Sequence, residues 1–281
     1  MLVKQLAFDA AVKILKAGIG LAGSRADLVS ATLAQRLTPS IAADTKFGRL
    51  WFFCPGSTPL WRAQTLLSKE PETIEWIDRF DADTVFWDIG ANVGLYSLYA
   101  ALRPNMTVLA FEPAAPNYYV LNRNIELNRM EGKVRAFSLA FSDTTRLDSL
   151  FLISSECGTA LHRLGQAKDW QGRDFVPSLK QGTIGFSVDD FVERFQPPFP
   201  NYLKIDVDGL EGRIVQGAVK TLSDHRIRSV LVELDTGQVQ LCERVIGALK
   251  AAGLALVAKR RAALFDKTEY ASIYNHIFAR S

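Results

Sequence analysis

Residues 85–98, Val-Phe-Trp-Asp-Ile-Gly-Ala-Asn-Val-Gly-Leu-Tyr-Ser-Leu, decide how this chain folds. A short apolar run carries Asp88 near its end. A turn with Gly90, Ala91, Asn92 and Gly94 follows, and Leu95, Leu98, Tyr99 and Leu102 then recur at helical spacing. The stretch reads as strand, glycine turn, helix. The same alternation repeats downstream, with strands over 107–111 and 134–139, a helix over 116–128, strands over 202–207 and 229–234, helices over 212–222 and 239–252, and two closing strands over 255–257 and 272–279. Such alternation predicts an α/β fold, a mainly parallel sheet with right-handed crossovers and helices on both faces. Upstream, 1–39 reads as helical, 47–53 as a strand, 54–59 as a loop and 72–80 as a helix. Strand-like runs at 150–153 and 183–188 flank an irregular insert, about 154–182, whose ends fall near the carboxyl edge of the sheet, where a substrate cover would sit.

The turn also constrains the ligand. A dinucleotide fingerprint is G-x-G-x-x-G, whereas the spacing here is Asp88-x-Gly90-x-x-x-Gly94. A carboxylate before the turn repels a pyrophosphate and suits a cationic amino-acid head group. Glu112 ends the next strand, where an acid accepts hydrogen bonds from ribose hydroxyls. Glycines in the turn, lacking Cβ atoms, let a ligand approach the backbone. These features suit S-adenosylmethionine, a nucleoside carrying an amino acid. A dinucleotide site, or a purely structural βαβ unit, is the competing reading.

With 281 residues, 48% of them hydrophobic, the chain can build one large α/β domain with an appendage. A net charge of +3, with Lys259, Arg260 and Arg261 as the tight basic run, speaks against a dedicated nucleic-acid binder. The cysteines, Cys54, Cys157 and Cys242, lack metal-ligand spacing, so neither a disulfide framework nor a zinc site is expected, and a cytoplasmic location fits. No apolar run is long enough to span a bilayer. At the N-terminus Asp9, Lys13 and Lys16 interrupt every candidate signal-peptide core, and Leu2, Leu6, Val12 and Leu15 approximate a helical stripe. That helix is expected to pack on its own domain or on a partner subunit of a homo-oligomer, with an anionic membrane surface as the alternative.

VFWDIGANVGLYSLYAA, AFEPAAPNYYVLNRNIELN, FSVDDFVERF, YLKIDVDGLEGRIVQGAVKTL and SVLVELD, in that order, resemble the signature segments of FkbM-type S-adenosylmethionine-dependent methyltransferases, and WRAQTLLSKEPETIEWIDRF is similar to a lead-in found in one branch. The resemblance spans roughly residues 47–235. It implies a class I methyltransferase (Rossmann-like) sheet of seven strands with the last antiparallel, and methyl transfer to oxygen, typically a hydroxyl of a sugar or polyketide-like product. The chain then divides into a helical extension, 1–45, and a methyltransferase domain, 46–281. By matching position, Asp88, Gly90, Asn92 and Gly94 would line the methionine part of the cofactor, Glu112 would hold the ribose, and Ser142 and Asp143 would meet the adenine. Ala91 and Pro113 complete the candidate cofactor set. Many members carry Glu where this chain has Asp208.

Methyl transfer to an aliphatic hydroxyl benefits from alignment and from a base that takes the proton. Lys204, Asp206, Asp208 and Glu211 form the densest charge cluster of the core segments. Asp206, at the strand end, is the first candidate base and Glu211 the second. As scaffold instead, Asp206 would bond loop amides or pair with Lys204, and Glu211 would favour its helix N-terminus. Asp206, Asp208 and Glu211 also offer the oxygen ligands magnesium prefers, although no metal is assigned. His162, in the insert, is a third catalytic candidate, its ordinary pKa suiting proton transfer near neutrality. Trp61 and Arg62 can stack on and bond a saccharide or phosphate-bearing acceptor, with Lys204 and Asp208 as further acceptor contacts. The rival activity is a nicotinamide-dependent oxidoreductase with an atypical glycine turn. A rival of another class is a non-catalytic cofactor-binding adaptor anchored by the N-terminal helix.

Overall fold

The computed structural model describes residues 2–168 and 172–280, and side chains from residue 8 onward. Residues 169–171 of the expected insert, and the side chains of Leu2 and Leu6 of the N-terminal stripe, therefore lie outside what is described. Two compact units divide at Pro39/Ser40. The first contains helices Leu2–Gly20 and Ala26–Leu37. The second begins earlier than the sequence suggested. Residues Ser40–Thr45, assigned to the helical extension, form a strand antiparallel to Gly48–Phe53.

The second unit is built on a seven-stranded sheet. Its order is Leu254–Arg260, Ile273–Arg280, Ser229–Asp235, Tyr202–Ile205, Val85–Ile89, Thr107–Phe111, Val134–Phe137. The inner strands are parallel, and Ile273–Arg280 runs antiparallel between Leu254–Arg260 and Ser229–Asp235. This is the class I methyltransferase arrangement. Near-continuous apolar runs explain it, because strands covered on both faces need apolar residues on both. Phe86, Val108 and Ala110 face one core layer, and Trp87, Ile89, Leu109, Phe111, Leu203 and Ile205 the other. The chain starts at the central strand Val85–Ile89, winds outward to Val134–Phe137, then returns to Tyr202–Ile205 on the opposite side. The switch point between Val85–Ile89 and Tyr202–Ile205 opens a crevice at their carboxyl ends, the position where open α/β sheets bind ligands.

Several local expectations need correction. The run 212–222 is two helices, Glu211–Gln216 and Val219–Ser223. At the break, a Cβ on Gly217 would stand 2.2 Å from the Ser142 carbonyl oxygen, so the backbone packs there in a way only glycine permits. Helices Ser57–Gln64 and Val188–Phe195 also form where none was expected. The strand-like runs extend into a separate four-stranded sheet ordered Ala140–Ser142, Leu179–Ser187, Arg146–Leu152, Arg163–Leu164. The insert is thus partly ordered by pairing. On the far side, the hairpin Ser40–Phe53 docks on helix Ala115–Leu127 and its cap. Phe53 N–H donates to Asn124 Oδ1 at 2.7 Å, and Trp51 N–H donates to Asn128 Oδ1 at 2.8 Å.

Candidate active site

Parallel register sets Asp88 opposite Lys204 and Ile89 opposite Ile205. Beyond these pairs the two strand ends nearly touch, with Asp206 N–H donating to Ile89 O at 3.1 Å. Gly90 has φ +84°, and a Cβ there would lie 1.9 Å from the Asp206 carbonyl oxygen. Gly94, φ +87°, precedes the helix, and its missing Cβ gives space to Leu121. The turn glycines therefore serve contacts within the protein, and Gly90 also lines the cleft above the turn. Ala91 is buried in the core layer beside them.

A cleft of about 840 Å³ opens over this turn. Its walls include Gly90, Asn92, Glu112, Pro113, Asp206, Asp208 and His162, with Phe111, Phe141, Leu150 and Leu164 supplying apolar surface. Glu112 accepts from Asn92 N–H and Ala114 N–H, each at 2.8 Å, which fixes the carboxylate at the strand end. Burial pushes its carboxyl up to about 7 against the pull of those two amides. Asn92 Oδ1 and His162 Nδ1 are buried on the same walls without partners. An anionic floor, a carboxylate beside the second strand, orphaned polar atoms and an apolar slot match the parts of S-adenosylmethionine: sulfonium, ribose, polar substituents and adenine.

A second cavity, about 1170 Å³, adjoins the first. Arg62, Lys69, Thr159, Ala160, Asp208 and Glu233 line both. Trp61, Tyr270, Phe265, Arg261, Glu72 and Asn275 line only the second of the two. Part of the insert forms a cover over the junction. Arg62 Nε donates to Gly158 O at 2.7 Å, Gly158 N–H to Asn117 Oδ1 at 2.7 Å, and Leu161 N–H to Asp208 Oδ2 at 2.7 Å. Asn92 and Asn117 side-chain amides both donate to Thr159 O, at 3.1 and 2.9 Å.

A charge network runs from the cavity walls to the buried Lys204 below them. Lys204, 1% exposed, pairs with Asp206 Oδ2 at 2.5 Å, and its ammonium sits 5.1 Å from the Tyr96 ring centroid. Lys69 pairs with Glu70, also at 2.5 Å. Although burial opposes it, Lys69 and Lys204 hold the Glu70 carboxyl down at about 2. Burial, reinforced by Asp206 and Glu70, drives Glu233 well above the usual carboxylate range. Carboxylate oxygens of Glu70, Asp206 and Glu233 lie within 4.8 Å of one another, the one such grouping among the described residues. The ammonium groups of Lys69 and Lys204 already bond two of these acids.

Not every candidate reaches a cavity wall. Asp88 lies under the floor, bonded by Ser97 Oγ at 2.6 Å, with burial raising its carboxyl. Lys204 is likewise beneath the floor and lines neither cavity, so it positions Asp206 in place of meeting an acceptor. Ser142 and Asp143 do not line the cleft either. Ser142 is buried, and Asp143 receives Ser142 Oγ at 2.9 Å and Arg213 Nη2 at 2.7 Å. Glu211 turns its Oε1 back to Gly209 N–H at 2.9 Å and lines neither large cavity, which removes it as a base and makes it a clamp on the 207–209 loop. Burial raises its carboxyl to about 7. Asp208, φ +59°, spends one oxygen on the cover. The magnesium set read from the sequence thus has two of its acids committed to amides. His162 lines the cofactor cleft but not the acceptor cavity, the same placement as Asp206, and burial lowers it to about 4.

Lys69, Glu70, Asn117, Glu233 and Asn275 were not singled out from sequence, and Arg261 was read only as part of a basic run. Glu233 was the most detectable, an acid near the carboxyl end of an apolar strand, as Asp88 is.

Comparison with known proteins agrees with this architecture. The profile of the methyltransferase FkbM domain matches residues 88–254. Hexuronic acid methyltransferase AglP of Haloferax volcanii is 25% identical over 178 residues, covering 63% of this chain and 67% of that protein. The 31-O-demethyl-FK506 methyltransferase FkbM of Streptomyces tacrolimicus is 29% identical over 206 residues, covering 66% and 78%. Methyltransferase sdnD of Sordaria araneosa is 45% identical over 167 residues, covering 52% and 64%. The chain belongs to the FkbM family of S-adenosylmethionine-dependent methyltransferases.

Proposed function

We propose that this methyltransferase acts on oxygen, methylating a hydroxyl of a saccharide or glycan precursor, and that it works in the cytosol. The observation that carries the reading is the shared wall of the two cavities, with Asp206 on the cofactor side of the junction and Trp61 on the acceptor side. Trp61 is 42% exposed and offers a flat face for a sugar ring. Arg62, Lys69 and Asp208 supply polar groups around it. Among relatives, one is named for a hexuronic acid acceptor and another for a 31-O-demethyl compound, the second name giving oxygen as the methylated atom. Three free cysteines fit a reducing compartment, and no helix among the described residues is long and apolar enough to cross a membrane.

Glu112, Asn92 and His162 would hold the cofactor, with the apolar slot taking its adenine. Bound there, it supplies a methyl group on a positively charged sulfur, and transfer forms the oxygen–carbon bond while the carbon–sulfur bond breaks with its electron pair leaving on sulfur. Asp206 accepts the hydroxyl proton. Lys204 holds the Asp206 carboxylate in place from below. The cover from Gly158 to Leu161 excludes water and sets the acceptor's position, where alignment contributes up to about 7–11 kcal/mol.

The test is incubation of the full chain with methyl-labelled cofactor and a panel of saccharides, with the labelled atom located by NMR. An O-methyl ether on a sugar is expected. Label on nitrogen, or turnover confined to non-saccharide acceptors, overturns the proposal.

A further inference from the structure

The acceptor cavity carries polar groups that this chemistry leaves unused. Arg261 and Asn275 line it, and neither lines the cofactor cleft. Only 14% of the Arg261 side chain is exposed. Its Nη2 bonds Asp266, and its guanidinium carbon lies 4.5 Å from the Tyr274 ring centroid, yet Nε and Nη1 are buried without hydrogen-bond partners. Asn275 is 3% exposed; its Nδ2 donates to Glu72 Oε1 at 2.9 Å while its Oδ1 has no partner. Each orphaned polar atom has given up its hydrogen bonds to water, and a ligand can restore them. On arginine the charge is permanent, so the loss cannot be relieved by deprotonation.

The acids around this cavity have other work. Glu70 pairs with Lys69, Glu72 receives Asn275, and Asp208 receives Leu161 N–H. Burial shifts Asp208 and Glu233 toward their neutral forms. Asp266, the carboxylate on Arg261, is 54% exposed, so solvent screens it. Arg62 turns its Nε to a backbone carbonyl. The wall away from the cofactor, where Arg261 stands with Glu70 and Glu72, therefore keeps two unfilled guanidinium donors and one unfilled acceptor.

We propose that Arg261 and Asn275 form a recognition subsite for an acidic sugar, Arg261 holding its anionic group and Asn275 Oδ1 accepting from a hydroxyl. This deepens, and rests on, the reading of the enzyme as a saccharide O-methyltransferase. Because the subsite lies outside the cofactor cleft, the anionic group is not the oxygen that is methylated. The product is an ether that keeps its free acid, not a methyl ester.

The test uses the full chain saturated with S-adenosylhomocysteine and measures equilibrium binding of methyl β-glucuronide, methyl β-glucoside and glucose 6-phosphate by calorimetry. Binding of at least one anionic probe about tenfold or more tighter than the glucoside is expected, since a charge-assisted hydrogen bond is worth about 1.5–3 kcal/mol. Whichever anion binds better identifies the group as carboxylate or phosphate and supports the subsite. Arg261→Gln should reduce the preference to about twofold or less while S-adenosylhomocysteine affinity is unchanged. Asp266→Asn, at an exposed position, should tighten the anionic probe by a few fold and leave the glucoside unaffected, which keeps the test available if Arg261→Gln fails to fold. Equal binding of charged and neutral sugars, or no response to Asp266→Asn, overturns the subsite. A methyl ester product overturns it too. Selective binding without any sugar turnover would leave the subsite standing and refute the proposed reaction instead.

Discussion

Replacing Gly90 by alanine separates two explanations of the glycine turn. The new Cβ would stand 1.9 Å from the Asp206 carbonyl oxygen and 2.9 Å from its carbon, in a backbone with φ +84°. The left-handed conformation costs about 1–2 kcal/mol for an L-residue. Relief of the clash requires the strand tips to part by more than an ångström. That breaks the Asp206 N–H bond to Ile89 O, at about 1 kcal/mol. A total near 2–3 kcal/mol should lower the melting temperature by roughly 4–12 °C for a unit of this size. Activity should fall further, because Asp206 moves with the backbone it is attached to. Gly132→Ala is the control, with nothing within 4 Å of its added methyl and no left-handed φ. Differential scanning fluorimetry with and without S-adenosylhomocysteine reads both effects. If Gly90→Ala melts within about 2 °C of wild type but loses cofactor affinity, the glycine serves the ligand and the close contact of the strands is not what requires it.

Asp206→Asn should lower kcat by about 10²–10⁴-fold with S-adenosylhomocysteine affinity within a few fold; a loss below tenfold would show that this carboxylate is not the base. Asn117→Ala removes the bonds to Gly158 N–H and Thr159 O, so limited proteolysis should cut the 154–182 insert faster and KM for the acceptor should rise; unchanged cleavage rates would show that these bonds do not hold the cover. Glu211 has a folded pKa of about 7, above its unfolded value, so the folded state binds its proton more tightly and its contribution to stability falls as pH rises from about 4.5 to 7. Denaturant titrations should show wild type losing up to about 3 kcal/mol relative to Glu211→Gln between pH 5 and pH 8, and a gap that widens in wild type's favour would refute the assignment.

The parallel core was legible because its signal is strong and local. Apolar runs ending in Asp88, Glu112 and Asp206, each followed by a turn and an amphipathic stretch, leave few other arrangements. The small second sheet was harder to see. Its strands Arg146–Leu152 and Leu179–Ser187 interleave polar residues, glycine and partly exposed positions, so pairing across the insert, not composition, makes them strands. Among residues that line the cleft, Glu112 and Asp206 were legible because they sit at strand ends, and their positions there are set by sheet register. The roles of Glu211 and Asp143 could not be judged, because a carboxylate that turns toward loop amides or a neighbouring arginine looks the same in sequence as one that faces a ligand. The acceptor cavity was least legible. Its wall joins Trp61 and Arg62 to Arg261 and Asn275, some 200 positions away, and only the antiparallel last strand brings them together.

The docking of the Ser40–Phe53 hairpin has a bearing on how copies of this protein behave toward one another. Strand Gly48–Phe53 has a hairpin partner on one side, and on the other the carboxamides of Asn124 and Asn128 stand in for a neighbouring strand, meeting Phe53 N–H, Trp51 N–H and the Trp51 carbonyl. Open strand borders invite stray chains to add on and grow into aggregates. Two amide side chains, four residues apart on one helix, close that border without any sheet beyond it, so loss of either would expose a sticky seam.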